Sequence, residues 1–159
     1  MPESFKDNEG RTWELRLDFG AAKRVRALVG VNLLSPMKEV EPDGPPLLAR
    51  LGEDDMLVID VIFAILKPRA DARDISDEQW AAAMGGDAMQ EAHDAFYREY
   101  VNFFRSRGKP EAIQAIEKQK ATIDAAVREA SARMEAIDPE AAVKKIFSGL
   151  DTSSPGSAE

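Results

Sequence analysis

The single imidazole of the chain, His93, lies between Glu91 and Asp94. Zinc capture or nucleophilic catalysis there would need further ligands or a nucleophile within hydrogen-bond reach, and the chain contains no cysteine. On a helix, residues one or two apart project in different directions, so Glu91 and Asp94 do not converge on the ring. A surface or boundary histidine is the reading these residue types favour. Gly85-Gly86-Asp87 precedes a helical pattern, where free backbone N–H groups can hold a phosphate. No Lys-Ser/Thr follows, no strand precedes, and Asp87 would repel the anion, so the segment reads as a turn. Acids are abundant, yet none pair as a calcium loop or a glycosidase dyad. No catalytic group, metal ligand or cofactor site is assigned, and the chain reads as a non-enzyme.

The bulk properties point the same way. The chain has 159 residues, 44% of them hydrophobic and 31% charged, with a formal net charge of −8. That suffices for one compact domain with a helical extension. The negative surface disfavours nucleic acid and anionic lipid, because both require clustered Lys and Arg. The absence of cysteine suits a reducing compartment. The opening residues lack an apolar signal core, and Met56–Leu66, interrupted by Asp60, is too short to cross a bilayer. The expected location is the cytoplasm, with no membrane and no nucleic-acid partner.

The elements follow from residue spacing. Phe5 to Phe19 reads as a β-hairpin turning at Asp7-Asn8-Glu9-Gly10, after which Trp13, Leu15 and Leu17 alternate with Glu14, Arg16 and Asp18. Such a hairpin must lie against helices. Ala21 to Val29 is helical and stops at Gly30. In that helix Val25, Leu28 and Val29 are apolar, with Lys23, Arg24 and Arg26 exposed. Residues 35–46, with four prolines, form a loop, and Leu47 to Leu51 adds a helical turn. Asp54 or Asp55 opens a helix apolar almost all round, which marks a buried element ending at Pro68. Asp60 occupies its one wetted stripe. Ser76 with Glu78 and Gln79 caps a short helix over Trp80–Met84, and Asp87 caps the next, which runs to about Arg105. The latter carries Met89, Ala92, Phe96, Tyr100, Phe103 and Phe104 at spacings near three and four.

Beyond Gly108-Lys109-Pro110 a heptad pattern begins. Ile113, Ile116, Lys120, Ile123, Val127, Ala130, Met134 and Ile137 alternate spacings of three and four, the a/d seam of a coiled coil with one lysine at an a-type position. Asp138-Pro139 starts a final short helix with Ala142, Val143, Ile146, Phe147 and Leu150 as its apolar stripe. The expected fold is mostly α: an N-terminal hairpin on a helical bundle, followed by a long C-terminal heptad helix. The expected organisation is a hairpin-plus-helical domain over residues 1–107, a helical extension over 108–150 and a disordered tail over 151–159. Two apolar faces are candidate partner-binding surfaces: the aromatic stripe Phe96, Tyr100, Phe103 and Phe104, and the heptad face Ile116, Ile123, Val127 and Met134. For each, packing within the chain's own core is the competing reading.

Several segments, taken in order, resemble tail assembly chaperones of long-tailed bacteriophages and related prophages. They are Phe5-Lys6-Asp7 with Gly10-Arg11-Thr12-Trp13-Glu14-Leu15, then residues 25–34 (VRALVGVNLL), 59–68 (IDVIFAILKP) and 75–80 (ISDEQW). Gly85-Gly86-Asp87-Ala88-Met89, Asp94-Ala95-Phe96-Tyr97 and Phe103-Phe104 complete the set, so the resemblance spans about residues 5–105 and leaves out the heptad region. It implies a non-catalytic helper of tail morphogenesis in the host cytoplasm. Its client would be the tape measure protein, a long amphipathic helix, with tail tube protein as a further partner. Self-association through the apolar helix face is also expected, since an unoccupied apolar face tends to pair with itself. Two alternatives stay open: a structural tail or connector component retained in the virion, and a small enzyme or regulator with an unrecognised site.

Overall fold

A computed structural model describes residues 2–136, 139, 140, 143, 144 and 146. Its elements are β1 (Glu3–Lys6), β2 (Thr12–Leu15), α1 (Phe19–Val29), α2 (Leu47–Glu53), α3 (Asp55–Ala72), α4 (Asp77–Ala82), α5 (Asp87–Ser106) and α6 (Pro110–Ala136). The protein is mostly helical, with one two-stranded antiparallel hairpin at the N-terminus and a long late helix. Two compact units are distinguishable, Met1–Ala121 and Thr122–Glu159. The first takes in the opening turns of α6 as well as everything before the Gly108 turn. In the second, the described residues are helical. They carry an Arg133–Glu129 ion pair one turn apart and expose Val127, Met134, Val143 and Ile146. Ile137, Asp138, residues 141, 142, 145 and 147–150 of the expected final helix, and the expected disordered tail 151–159 lie outside the described residues.

The hairpin pairs Phe5 with Trp13 and Glu3 with Leu15. Its turn closes through Gly10 N–H donating to the Asp7 carbonyl at 3.0 Å, with Gly10 at φ 79°, a conformation that suits glycine. Trp13, Leu15 and Leu17 are buried while Glu14, Arg16 and Asp18 face water, the alternation expected of a half-buried strand. The strand ends earlier than the pattern suggested. Asp18 accepts from Ala21 N–H as the N-cap of α1, so Phe19 is the first helical residue. Ala21, Ala22 and Val25 turn inward toward α3, and Gly30 at φ 82° ends the helix. Leu28, expected to share that apolar face, is 55% exposed.

Helix α3 is the centre of the core. From Leu57 to Leu66 only Asp60 reaches solvent, and α1, α2, α4, α5 and β2 all pack on α3. Pro68, expected to end it, lies inside it, and the helix continues to Ala72. Proline has no N–H to give the carbonyl four residues back and its ring crowds that carbonyl. Arg24 of α1 supplies the missing donor: its Nη1 donates to the carbonyl oxygens of Ala64 and Ile65, both at 3.1 Å. The break that proline normally causes is thereby offset by a side chain from a neighbouring helix. Ser76 forms the expected capping box with Gln79, each side chain bonding the other's backbone N–H. The cap of α5 is Gly86, at φ 59°, and Asp87 falls in the first turn with no capping bond, where its charge still suits the positive helix end.

Replacing Arg24 by Ala is expected to lower stability by about 1–3 kcal/mol, the usual cost of stranding a buried backbone acceptor. In a Pro68→Ala background the loss shrinks, because the alanine introduced there has a backbone N–H to give the Ala64 carbonyl. Urea unfolding of the four proteins measures this, and equal losses in the two backgrounds would rule the compensation out.

Candidate functional site

The aromatic stripe of α5 faces the interior. Phe96, Tyr100, Phe103 and Phe104 are all buried, and successive rings along the stripe meet at centroid distances of 5.3–5.4 Å. Tyr100 donates its hydroxyl to the Leu33 carbonyl at 2.7 Å and thereby ties the segment after α1 to α5. Offset and edge-on ring packing of this kind is core chemistry. The expectation that these four rings offer a contact surface is therefore corrected: helices and the 31–38 segment cover them. Nearby, Phe19 is half-exposed, its ring edge-on to Phe103 at 5.8 Å and covered by the Arg107 guanidinium at 4.6 Å.

The heptad face divides. Ile116 has no exposed surface, and Ala112 is also buried, so the first turns of α6 belong to the first unit's core. Lys120, the polar residue on the seam, reaches Asp94 of α5 at 2.7 Å. That pairing explains how a cation is tolerated there, with its stem along apolar surface and its head on a carboxylate. Further along, Ile123 is half-buried, while Val127 and Met134 are 42% and 73% exposed.

His93 is buried to 9% exposure and lies 4.0 Å from the exposed Asp55 carboxylate and 6.0 Å, ring to ring, from Tyr97. It is more enclosed than a surface residue, because α5 turns this face toward the start of α3. Burial pushes the Tyr97 and Tyr100 hydroxyls upward, so neither ionises near neutral pH. Asp60 is exposed as expected; partial desolvation and then the charges of Asp77 and Asp54 raise its pKa. Glu99 is buried, and burial raises it despite backbone hydrogen bonds from Glu3 and Leu17. Among the described residues, no group of three or more His, Cys, Asp or Glu side chains is placed to hold a metal ion. No described helix is long and apolar enough to cross a membrane.

What the structure does assemble is an open groove of about 780 Å³. One wall is the segment Leu34–Lys38, and the other is the α5–α6 connection from Arg107 to Ala112, with Phe104 also lining it. Leu34 and Met37 are apolar yet 39% and 55% exposed. The walls are braced by hydrogen bonds. Leu48 N–H donates to the Pro36 carbonyl at 2.9 Å, Leu47 N–H to that of Lys38 at 3.0 Å, and Lys109 N–H to that of Phe104 at 3.2 Å. Gly108, at φ 63°, makes the reversal between the helices possible. The groove thus combines hydrogen-bonded walls with exposed apolar side chains.

Sequence reasoning missed this groove. Residues 35–46 and Gly108-Lys109-Pro110 read as a loop and a separator, and only folding brings them together. The available signal was Leu33-Leu34 and Met37, apolar residues beside prolines with no periodic partner. Scans against protein-family models, curated proteins and solved structures each find no match.

One buried group does control local stability. Asp7 accepts hydrogen bonds from Glu9 N–H (2.9 Å), Arg11 N–H (3.0 Å), Arg11 Nε (2.7 Å) and Trp13 Nε1 (2.8 Å). Burial alone would raise its pKa, but the bonds from Trp13 and Arg11 together hold it below the usual 3.8. A depressed folded pKa gives stability that is present above pH 3.8 and lost as pH falls through the lower folded value. The difference in melting temperature between wild type and Asp7→Asn should therefore narrow as the pH is lowered below about 4. A difference that stays constant from about pH 7 down to about pH 2.5 would contradict the assignment.

Proposed function

We propose that this protein is a non-catalytic binder of amphipathic helical segments, acting as a tail assembly chaperone for a tape measure protein in a bacterial host cytoplasm. The observation that carries the reading is the braced groove between Leu34–Lys38 and Arg107–Ala112, where Leu34 and Met37 remain exposed. Apolar side chains exposed in a concave, hydrogen-bonded setting are a surface that the apolar face of an amphipathic helix can cover. The exposed part of the heptad face, Val127 and Met134, gives a second apolar surface of the kind such clients contact. The ordered resemblance over residues 5–105 supports the choice of client, with tail tube protein as a further partner.

Binding would draw on apolar burial worth roughly 25 cal/mol per Å², reduced by the cost of ordering both partners. A groove built into the rigid part of the fold lowers that cost on the chaperone's side. A reversible hold is what an assembly helper needs, since the client must later be surrendered to the growing tube.

Co-expression with a tape measure fragment should move that fragment into the soluble fraction and allow the two to be purified together. Met37→Asp, which places a charge on an exposed position of the groove, should cut the recovered complex several-fold while leaving the melting temperature of the free protein unchanged. Unaltered client solubility with no co-purification would sink the proposal. Stoichiometric amounts of the protein in purified particles, read by mass spectrometry, would favour a retained structural component instead.

A further inference from the structure

The rim of the groove carries a charge opposite to that of the chain. The whole protein bears −8, yet Lys38, Arg107 and Lys109 all line this one surface against a single acid, Glu111. Arg107 is held in place by its stacking over Phe19 at 4.6 Å, which leaves a planar guanidinium in a fixed position for a carboxylate. Lys38 and Lys109 are exposed, and no salt bridge pairs either with a carboxylate among the described residues. Between these cations lie the exposed Leu34 and Met37.

We infer that the groove selects an acidic amphipathic helix: an apolar side chain set against Leu34 and Met37, flanked by Asp or Glu that pair with Lys38, Arg107 and Lys109. This rests on the reading of the protein as a binder of amphipathic helices and specifies which ones it takes. A polyanion fits less well. Tight binding of nucleic acid draws on many phosphate contacts, and three cations beside Glu111 on a chain of net charge −8 supply few. A carboxylate-bearing helix needs only local pairs, and it gains selectivity because the rest of the surface repels it until the groove is met.

The experiment uses the full chain and two synthetic helices of about 20 residues with the same Leu/Ile stripe, one with Glu and one with Lys on the polar face. Fluorescence anisotropy should show the Glu-faced helix binding about tenfold more tightly at low salt, the size expected from two or three rim pairs. The preference should fade as salt is raised, and the double variant Lys38→Glu/Lys109→Glu should abolish or invert it. Both lysines are exposed, so circular dichroism should show the variant folded. Equal affinities, or a Glu preference unchanged in the variant, would overturn the inference while leaving amphipathic-helix binding intact. Binding of neither helix would overturn both, and tighter binding to single-stranded DNA or phosphatidylglycerol vesicles would replace the acidic helix with a polyanion.

Discussion

A four-residue strand pair has too little surface to hold itself together in water, and in this protein the Asp7 carboxylate makes it a structural element. Its two oxygens gather four donors from the turn and from the Trp13 indole, so a buried charge becomes the knot that closes the hairpin. With Trp13 oriented, its ring lies under Arg73 at 4.4 Å, while Phe5 meets Trp80 and Trp80 meets Phe63. The turn is also tied to the far side of the chain, through Asn8 N–H to the Ala83 carbonyl and the Asn8 amide to that of Gly85. Glu99 secures the other end by accepting from Glu3 N–H. The hairpin is thus a clasp between α3, α4 and α5, and the alignment of α5 depends on it.

The second constraint is the buried α3, whose apolar circumference requires neighbours on every side. Pro68 threatens that helix near its end, and Arg24 offsets the threat from outside by donating to the Ala64 carbonyl that proline leaves unserved and to that of Ile65 beside it. An arginine that looks like surface charge in a linear reading is therefore part of the core's hydrogen-bond accounting. The same pattern recurs at Lys120, which a heptad register places on an apolar seam and which the fold places against Asp94. In both cases a cation on one helix answers a polar group on another.

Much of the architecture was legible. The hairpin turn at Gly10, the alternation of Trp13, Leu15 and Leu17, the Ser76–Gln79 capping box and the stop at Gly30 are local devices, so their residues announce them. Pro68 was misread because its usual effect is local while its remedy comes from Arg24, some forty positions from the carbonyls it serves. The Phe96, Tyr100, Phe103 and Phe104 stripe was legible as apolar but not as covered, since a periodic stripe is the same whether it meets the chain's own residues or another chain. Tyr100 reaching Leu33 across 67 positions settles the matter, and no short-range pattern encodes it.

The residues alone determined which segments are helical, where most of them start and stop, and that one hairpin precedes them, because caps, turns and periodicity act over a few positions. They also determined the absence of thiol chemistry and the excess of negative charge, which are matters of composition. Only the tertiary structure decided which apolar faces are spent in the core and which remain open. It joined Leu34–Lys38 to Arg107–Ala112, segments far apart in the chain, and so made a groove from what read as a loop and a separator. Burial is a property of pairs of distant segments, and a linear chain does not state which pairs will meet.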